Sequence, residues 1–332
     1  MKLLVAGGAG YLGSVLIPRL LDRGYDVDVV ELFWFGNQLP SQVGILSKDI
    51  FHLTAADLKV YDQVIFLAGL SNDPMAEYSP SKNFILNAAA PAYLGYIAKI
   101  AQVKRYIYAS SCSVYGYTEN ELYDETRPVG ASYPYGISKL QGEQAALQLT
   151  NDEFSVICLR KGTISGYSPR MRLDLIVNAM FKTALRDGVI TVNNPSIWRP
   201  VLSIEDAATA YVRVVEANAN ISGVFNLASG NYTVGEVADV VRNRIEERLD
   251  IRINLTIKHI QDFRNYKVNT DKAANVLSFH PTGSVRSIVD DLIANMDKFR
   301  DWDNPLYSNI HTFKMLDEGI GIPAVSGALS AQ

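Results

Sequence analysis

A strand-length apolar run, KLLVAG, breaks on glycine at the start of this chain, and YLGSVLIPRLLDRG follows at once with helical spacing. Gly7, Gly10 and Gly13 stand between the two, and Gly24 closes the helix. Further strand-like runs follow: DVDVVE, GILSKDI, QVIFLAG, RYIYASS and SVICLRKG. Helical stretches separate several of them, a long one over about 81–102 and another opened by YPYGISK. Strands alternating with helices call for parallel pairing through right-handed crossovers. The reading is therefore an α/β protein with a Rossmann-type, doubly wound parallel sheet.

The order loosens in the second half. Helices are expected near Leu173–Arg186, Glu205–Ala217, Thr233–Leu249 and Ser284–Arg300, with short strands such as VFNLAS and RINLTIK between them. This divides the chain into an NAD-binding Rossmann domain over 1–165, whose core draws on later segments, and a smaller α/β substrate-binding region over 166–303. It leaves an aperiodic tail over 304–332, expected to be mobile. The smaller part would close over the carboxyl edge of the sheet, where ligands of such folds bind. At 332 residues and formal charge −4, with no basic block, the chain does not read as a nucleic-acid binder, and no segment is apolar for the length of a membrane span. Cys112 and Cys158 form no disulfide framework, and the four histidines are too scattered for a metal site, so no metal and a reduced, cytoplasmic setting are expected.

Glycines between a strand and a helix let the backbone turn tightly and let a pyrophosphate approach the helix N-terminus, where amides and dipole favour anions. A tight turn alone would use the same residues. The second strand ends at Glu31, where a carboxylate meets ribose hydroxyls and repels a 2′-phosphate; the following LFWFG offers no cation, which favours NAD over NADP.

Tyr135 and Lys139 in YPYGISK lie one helical turn apart. Alone, the pair reads equally as a tyrosine packed over a lysine stem. The strand before it ends in YASSCSVYG, which brings Ser110, Ser111 and Ser113 to the carboxyl edge of the sheet. A hydroxyl there and a phenol whose pKa a nearby ammonium lowers would serve general acid–base chemistry.

Taken together, GGAGYLGS, SKDI, FLAGLS, ASSCSVYG, YPYGISK, WRPVLSIEDAA and FNLASG make the chain resemble the extended short-chain dehydrogenase/reductase family, in its sugar-nucleotide epimerase/dehydratase branch, from Met1 to about Arg300. The resemblance implies Tyr135 as acid/base, Lys139 as its partner and as a holder of the nicotinamide ribose, and Ser111 as the group that orients the substrate hydroxyl. It implies NAD contacts at Gly7, Gly10, Tyr11, Leu12, Gly13 and Glu31, adenine flanked by Asp49 and Ile50, and a dinucleotide lined by Leu67, Ala68 and Gly69. Asn87 would look onto the cofactor site. Pro91 lacks the N–H that would bond the Asn87 carbonyl, so that carbonyl is expected to hold a relay water or simply to mark a kink. A homodimer through helix packing is also implied.

On the substrate side, Arg170 and Arg172 stand in the loop after the sixth strand; with Arg199, placed at a diphosphate by the resemblance, they are the phosphate candidates. Asn178, Arg264, Ser71, Ser113 and Thr163 complete the expected substrate contacts. Several positions depart from the family pattern. Cys112 and Ser113 stand where 4,6-dehydratases carry Asp–Glu, HIQD ending at Asp262 replaces an Arg-Pro-Gly-Asp, and LRKGTISG places Thr163 where asparagine is usual. The expected activity is NAD-dependent C4 epimerisation of a nucleotide-activated sugar through a 4-keto intermediate. A 4-keto sugar-nucleotide reductase or 4-dehydrogenase using NAD(P) is the alternative, and a non-catalytic NAD(H)-sensing protein a more remote one.

Overall fold

The computed structural model describes residues 1–259 and 264–319. Seven parallel strands form the central sheet: β1 (Lys2–Ala6), β2 (Asp26–Val30), β3 (Gly44–Leu46), β4 (Gln63–Phe66), β5 (Arg105–Tyr108), β6 (Ser155–Lys161) and β7 (Gly223–Leu227). Their spatial order is β7-β6-β5-β4-β1-β2-β3. The order reverses beside β1, so a crevice opens at the carboxyl ends of β1 and β4. The VFNL run in the second half of the chain supplies the outer strand β7, paired with β6.

Strand alternation sorts the core into two layers. Leu3, Val5, Ile65, Ile107, Ile157 and Leu159 pack one face together with Leu16, Leu20 and Tyr211, from helices Gly13–Asp22 and Ile204–Glu216. Leu4, Ala6, Phe66, Tyr108, Val156 and Cys158 pack the other, with Leu94, Ala98 and Ala146 from helices Ala90–Ile100 and Pro134–Leu147. Three small sheets stand over the carboxyl edge. Trp198–Ser203 lies between Gly230–Thr233 and Thr163–Ser165, Val189–Asn193 pairs with Asn254–Lys258, and Tyr117–Tyr123 pairs with Asn265–Val268.

Three details differ from the sequence reading. The long helix of about 81–102 is interrupted by a π-helical turn, Ile85–Ala89, one turn before Pro91, whose missing N–H leaves the Asn87 carbonyl without its usual donor. The last expected helix ends at Asn295 and continues as a 3₁₀ turn, Met296–Lys298. The segment from Asn304 is not aperiodic throughout: Asn304 caps a short turn and a helix follows over Asn309–Asp317. Its Phe313 is buried with Leu70 and Met75, flanked by Trp34, Leu86 and Ile310. The spacing of Ile310 and Phe313 was the available signal.

Candidate active site

A cavity of ≈ 700 Å³ runs along the carboxyl edge, from the glycine turn past Tyr135 to the small sheets. Gly7 has φ +78°, and a Cβ there would lie 2.6 Å from the Ala68 amide nitrogen. A Cβ on Gly13 would meet the Gly8 carbonyl oxygen at 2.1 Å, so the helix starts hard against the turn. Gly10, Tyr11, Leu12 and Gly13 line the cavity where the first helical amides lack intrahelical acceptors. The Tyr11 hydroxyl donates to the Gly166 carbonyl at 2.6 Å, which ties the turn to the loop after β6.

Glu31 is fixed by backbone. Its Oε2 accepts from the Ala9 amide at 3.0 Å, and Oε1 from the Leu32 and Phe33 amides at 2.9 and 3.2 Å. Burial pushes its carboxyl up, against those amides and the charge of Arg170. The sequence reading found no cation near Glu31; the fold brings Arg170 there from the middle of the chain, stacked 3.6 Å from the centroid of Phe35. Asp49, Ile50, Leu67, Ala68 and Gly69 also line the cavity.

The helix Pro134–Leu147 places Tyr135 and Lys139 on one face, with Nζ 6.0 Å from the phenol ring centroid. Asn83 holds the helix start: its Nδ2 donates to the Pro134 carbonyl and its Oδ1 accepts from Ser138 Oγ. Lys139 Nζ donates to the Ala109 carbonyl at 3.1 Å. Ser111 caps the turn Cys112–Tyr115, with its Oγ 2.5 Å from Ser113 Oγ, and lies close enough to the Tyr135 phenol to act on its proton affinity. The charge states differ from expectation. Burial, then the charge of Asp73, pushes the Tyr135 phenol above its ordinary range, with Ser111 and Arg172 opposing. Burial lowers Lys139 to about 7. Lysine does not bring the phenol down in the ligand-free protein, because the same apolar surroundings disfavour both charged forms.

Behind these groups lies a buried network absent from the sequence reading. Arg160, on β6, pairs with Glu143, two turns along the Tyr135 helix, and Glu143 Oε2 accepts from Ser110 Oγ at 2.6 Å. Arg160 also donates to the Tyr115 hydroxyl at 2.8 Å. These bonds fix the end of β5, which carries the serines, against the helix that carries Tyr135.

Two expected contacts fall elsewhere. Asn87 is fully buried outside the cavity lining; its Nδ2 donates to the Leu70 carbonyl and to Asn83 Oδ1, bracing the chain after β4. Its main-chain carbonyl accepts from the Tyr108 hydroxyl at 3.0 Å, so a phenol takes the place expected for a relay water. Asn178 is likewise fully buried and off the cavity. It bonds the Tyr11 hydroxyl, the Arg172 carbonyl, and the amide and carbonyl of Gly166, a structural knot rather than a nucleotide contact.

Ser71, Ser113, Thr163, Arg170, Arg172, Arg199 and Arg264 all line the cavity. Arg172 is paired with Asp174 through two bonds of 2.9 and 3.1 Å. Burial would raise the Asp174 carboxyl, but Arg172, Arg170 and the Asn309 amide bring it below the usual range. Arg170 donates to Asn309 Oδ1, and its buried Nε has no acceptor among the described residues. Arg199 lies over Tyr266 and Arg264 over Tyr133, with Arg264 paired to Asp73. Seven basic side chains line the cavity against four acidic ones, in a chain of net charge −4. The four arginines among them offer guanidinium forks that suit phosphate oxygens. Asp262 lies outside the described residues.

A model of the NAD dependent epimerase/dehydratase family matches residues 3–228. The chain belongs to that family. It is an NAD-dependent enzyme of the sugar-nucleotide branch of the extended short-chain dehydrogenases/reductases. It is 26% identical over 300 residues to UDP-glucuronic acid decarboxylase 1 of Arabidopsis thaliana, covering 86% of this chain and 67% of that one. To UDP-glucose 4-epimerase of Bacillus subtilis it is 27% identical over 277 residues, covering 71% and 80%. Among solved structures it is similar to MoeE5 in complex with UDP-glucuronic acid and NAD, with TM-score 0.79 and 25% identity over 90% of this chain and 99% of that one. The glycine cradle, with no room for a Cβ at Gly7 or Gly13, and the backbone-held Glu31 fit that cofactor.

Within this family frame, three cavity groups escape the sequence reading. Lys161 ends β6 on the cavity, donates to the Tyr211 hydroxyl at 3.4 Å and has no carboxylate partner among the described residues. Burial, and then Lys139, drive its ammonium well down. Asn309 arrives from the C-terminal helix to join Arg170 and Ser71. Asp73 enters from the loop after β4. Lys161 stands inside LRKG and Asp73 two residues after FLAGLS, but nothing in their spacing showed which way they face.

Proposed function

We propose that this enzyme inverts C4 of a UDP-activated hexose or hexuronic acid through a 4-keto intermediate. The observation that carries the reading is the convergence of Tyr135, Lys139 and Ser111 on one cavity whose other charged side chains include four arginines. Gly10, Tyr11 and Leu12 would hold the pyrophosphate of NAD, Glu31 the adenosine ribose, Asp49 and Ile50 the adenine, and Lys139 the nicotinamide ribose. Bound NAD supplies the acceptor that takes a hydride from C4 and returns it to the opposite face. Tyr135 accepts the C4 hydroxyl proton and later returns it, with Ser111 orienting that oxygen. Arg199 and Arg264 hold the substrate diphosphate, and a cavity of this size supports a turn of the keto sugar between the two transfers. A homodimer is part of the proposal: Tyr96 and Ile100, one turn apart on helix Ala90–Ile100, are 55% and 52% exposed.

The experiment has two parts. Denatured, freshly purified protein is examined by mass spectrometry for released NAD(H) and nucleotide sugar, and intact enzyme is incubated with UDP-glucose and UDP-glucuronic acid and followed by NMR. Retained NAD(H) and a C4 epimer are expected, with turnover in Tyr135→Phe down by about 10²–10⁴-fold. A UDP-pentose from UDP-glucuronic acid without any C4 epimer would replace epimerisation by decarboxylation.

A further inference from the structure

Asp73 opens helix Asp73–Tyr78, in the chain segment that follows β4 and lines the cavity. One carboxylate oxygen, Oδ2, pairs with Arg264. The other, Oδ1, is buried and has no hydrogen-bond partner among the described residues. A buried carboxylate oxygen without a donor is costly and uncommon, and Asp73 is one of two cavity-lining residues with an unpartnered buried polar atom among the described residues, Arg170 being the other. Asp73 lines the same cavity as Tyr135, Ser111 and Tyr266, and among the charged groups that act on the Tyr135 phenol its influence is the largest. Dehydratase-type carboxylates are absent at Cys112 and Ser113; Asp73 comes from a different strand and a different wall.

We propose that Asp73 is a second acid–base group of this site, which removes and returns a proton at a carbon adjacent to the C4 carbonyl. The inference rests on the C4 oxidation proposed above. Once C4 is a ketone, the C–H bonds on its neighbours are acidified. Asp73 Oδ1 takes that proton, and the C–H electron pair moves into the new C–C double bond while charge shifts onto O4. The Tyr135 hydroxyl, carrying the proton it took from the C4 hydroxyl, donates to O4 and stabilises the enolate. Return of the proton from Asp73 restores the ketone, so atoms and charge balance without any other reactant. Arg264 holds the carboxylate through Oδ2 and leaves Oδ1 without a partner among the described residues.

The test is wash-in of solvent deuterium. Enzyme with NAD is incubated in D₂O with UDP-glucose and, separately, UDP-glucuronic acid. Recovered substrate and C4 epimer are examined by NMR and mass spectrometry, while reduced cofactor is read at its own absorbance. Deuterium is expected at a carbon flanking C4. In Asp73→Asn the ratio of exchange to cofactor reduction should fall by about 100-fold, and Asp73→Glu should recover part of it. Cofactor reduction in the wild-type enzyme without deuterium at either position overturns the inference and leaves C4 oxidation standing. An Asn variant with the wild-type exchange ratio overturns it too, and assigns Asp73 to holding Arg264. Absence of reduction with both sugars overturns the C4 reading and this step with it.

Discussion

Lys139 shows how far a single residue's chemistry depends on its surroundings. The i, i+4 spacing from Tyr135 was plain in YPYGISK, and the structure keeps it, but the charge state follows from burial rather than spacing. Burial lowers Lys139 to about 7, whereas in the unfolded chain it holds its proton to about 10.4. Below pH 7 both states are protonated and the full desolvation cost weighs on the fold. Above it the folded state sheds its proton first, so the unfolded state binds more protons and stability rises with pH. The slope is at most about 1.4 kcal/mol per pH unit, from pH 7 toward 10. Urea unfolding of ligand-free protein at pH 7 and pH 9 checks this: Lys139→Met should lose that part of the gain, and an equal gain in the variant would show that the lysine is not held as described.

At the scale of elements, the Tyr135 helix is held to the sheet by a buried ion pair rather than by apolar packing alone. Glu143 and Arg160 are each nearly inaccessible, and between them they fix Ser110 and Tyr115. Removing one partner leaves the other charge buried, which costs about 3–5 kcal/mol. Glu143→Ala should therefore lower the unfolding free energy obtained from urea titration by that amount, and a loss under about 1 kcal/mol would mean that water reaches the pair. The C-terminal helix makes a different point about elements. Ile310 and Phe313 repeat at helical spacing, yet the run is nine residues long and its stability comes from the Leu70–Met75 patch it covers. A short helix whose stability comes from a remote surface carries little local signal.

For the whole molecule, the alternation of strands and helices led to the doubly wound sheet without ambiguity, and the family match agrees. The fold leaves Tyr96 and Ile100 exposed on an outer helix. Light scattering after gel filtration should give a mass twice that of the 36.7 kDa chain, and Tyr96→Lys with Ile100→Lys should reduce it to that of one chain. A wild-type monomer would remove the proposed dimer.

By itself the sequence determined which local units form and which chemistry sits at their joints. The glycine turn, Glu31 at a strand end, and Tyr135 with Lys139 one turn apart depend on neighbours within a few residues, where spacing and geometry are the same thing. Tertiary structure decided the rest, because it rests on contacts between distant segments. Tyr108 occupies the Asn87 carbonyl, Asn178 closes a knot around Tyr11, and Arg170 comes to Glu31. Asp73 likewise receives its partner Arg264 from 191 residues away. Burial then sets which of these groups carry charge, and burial is a property of the packed chain, not of any stretch of it.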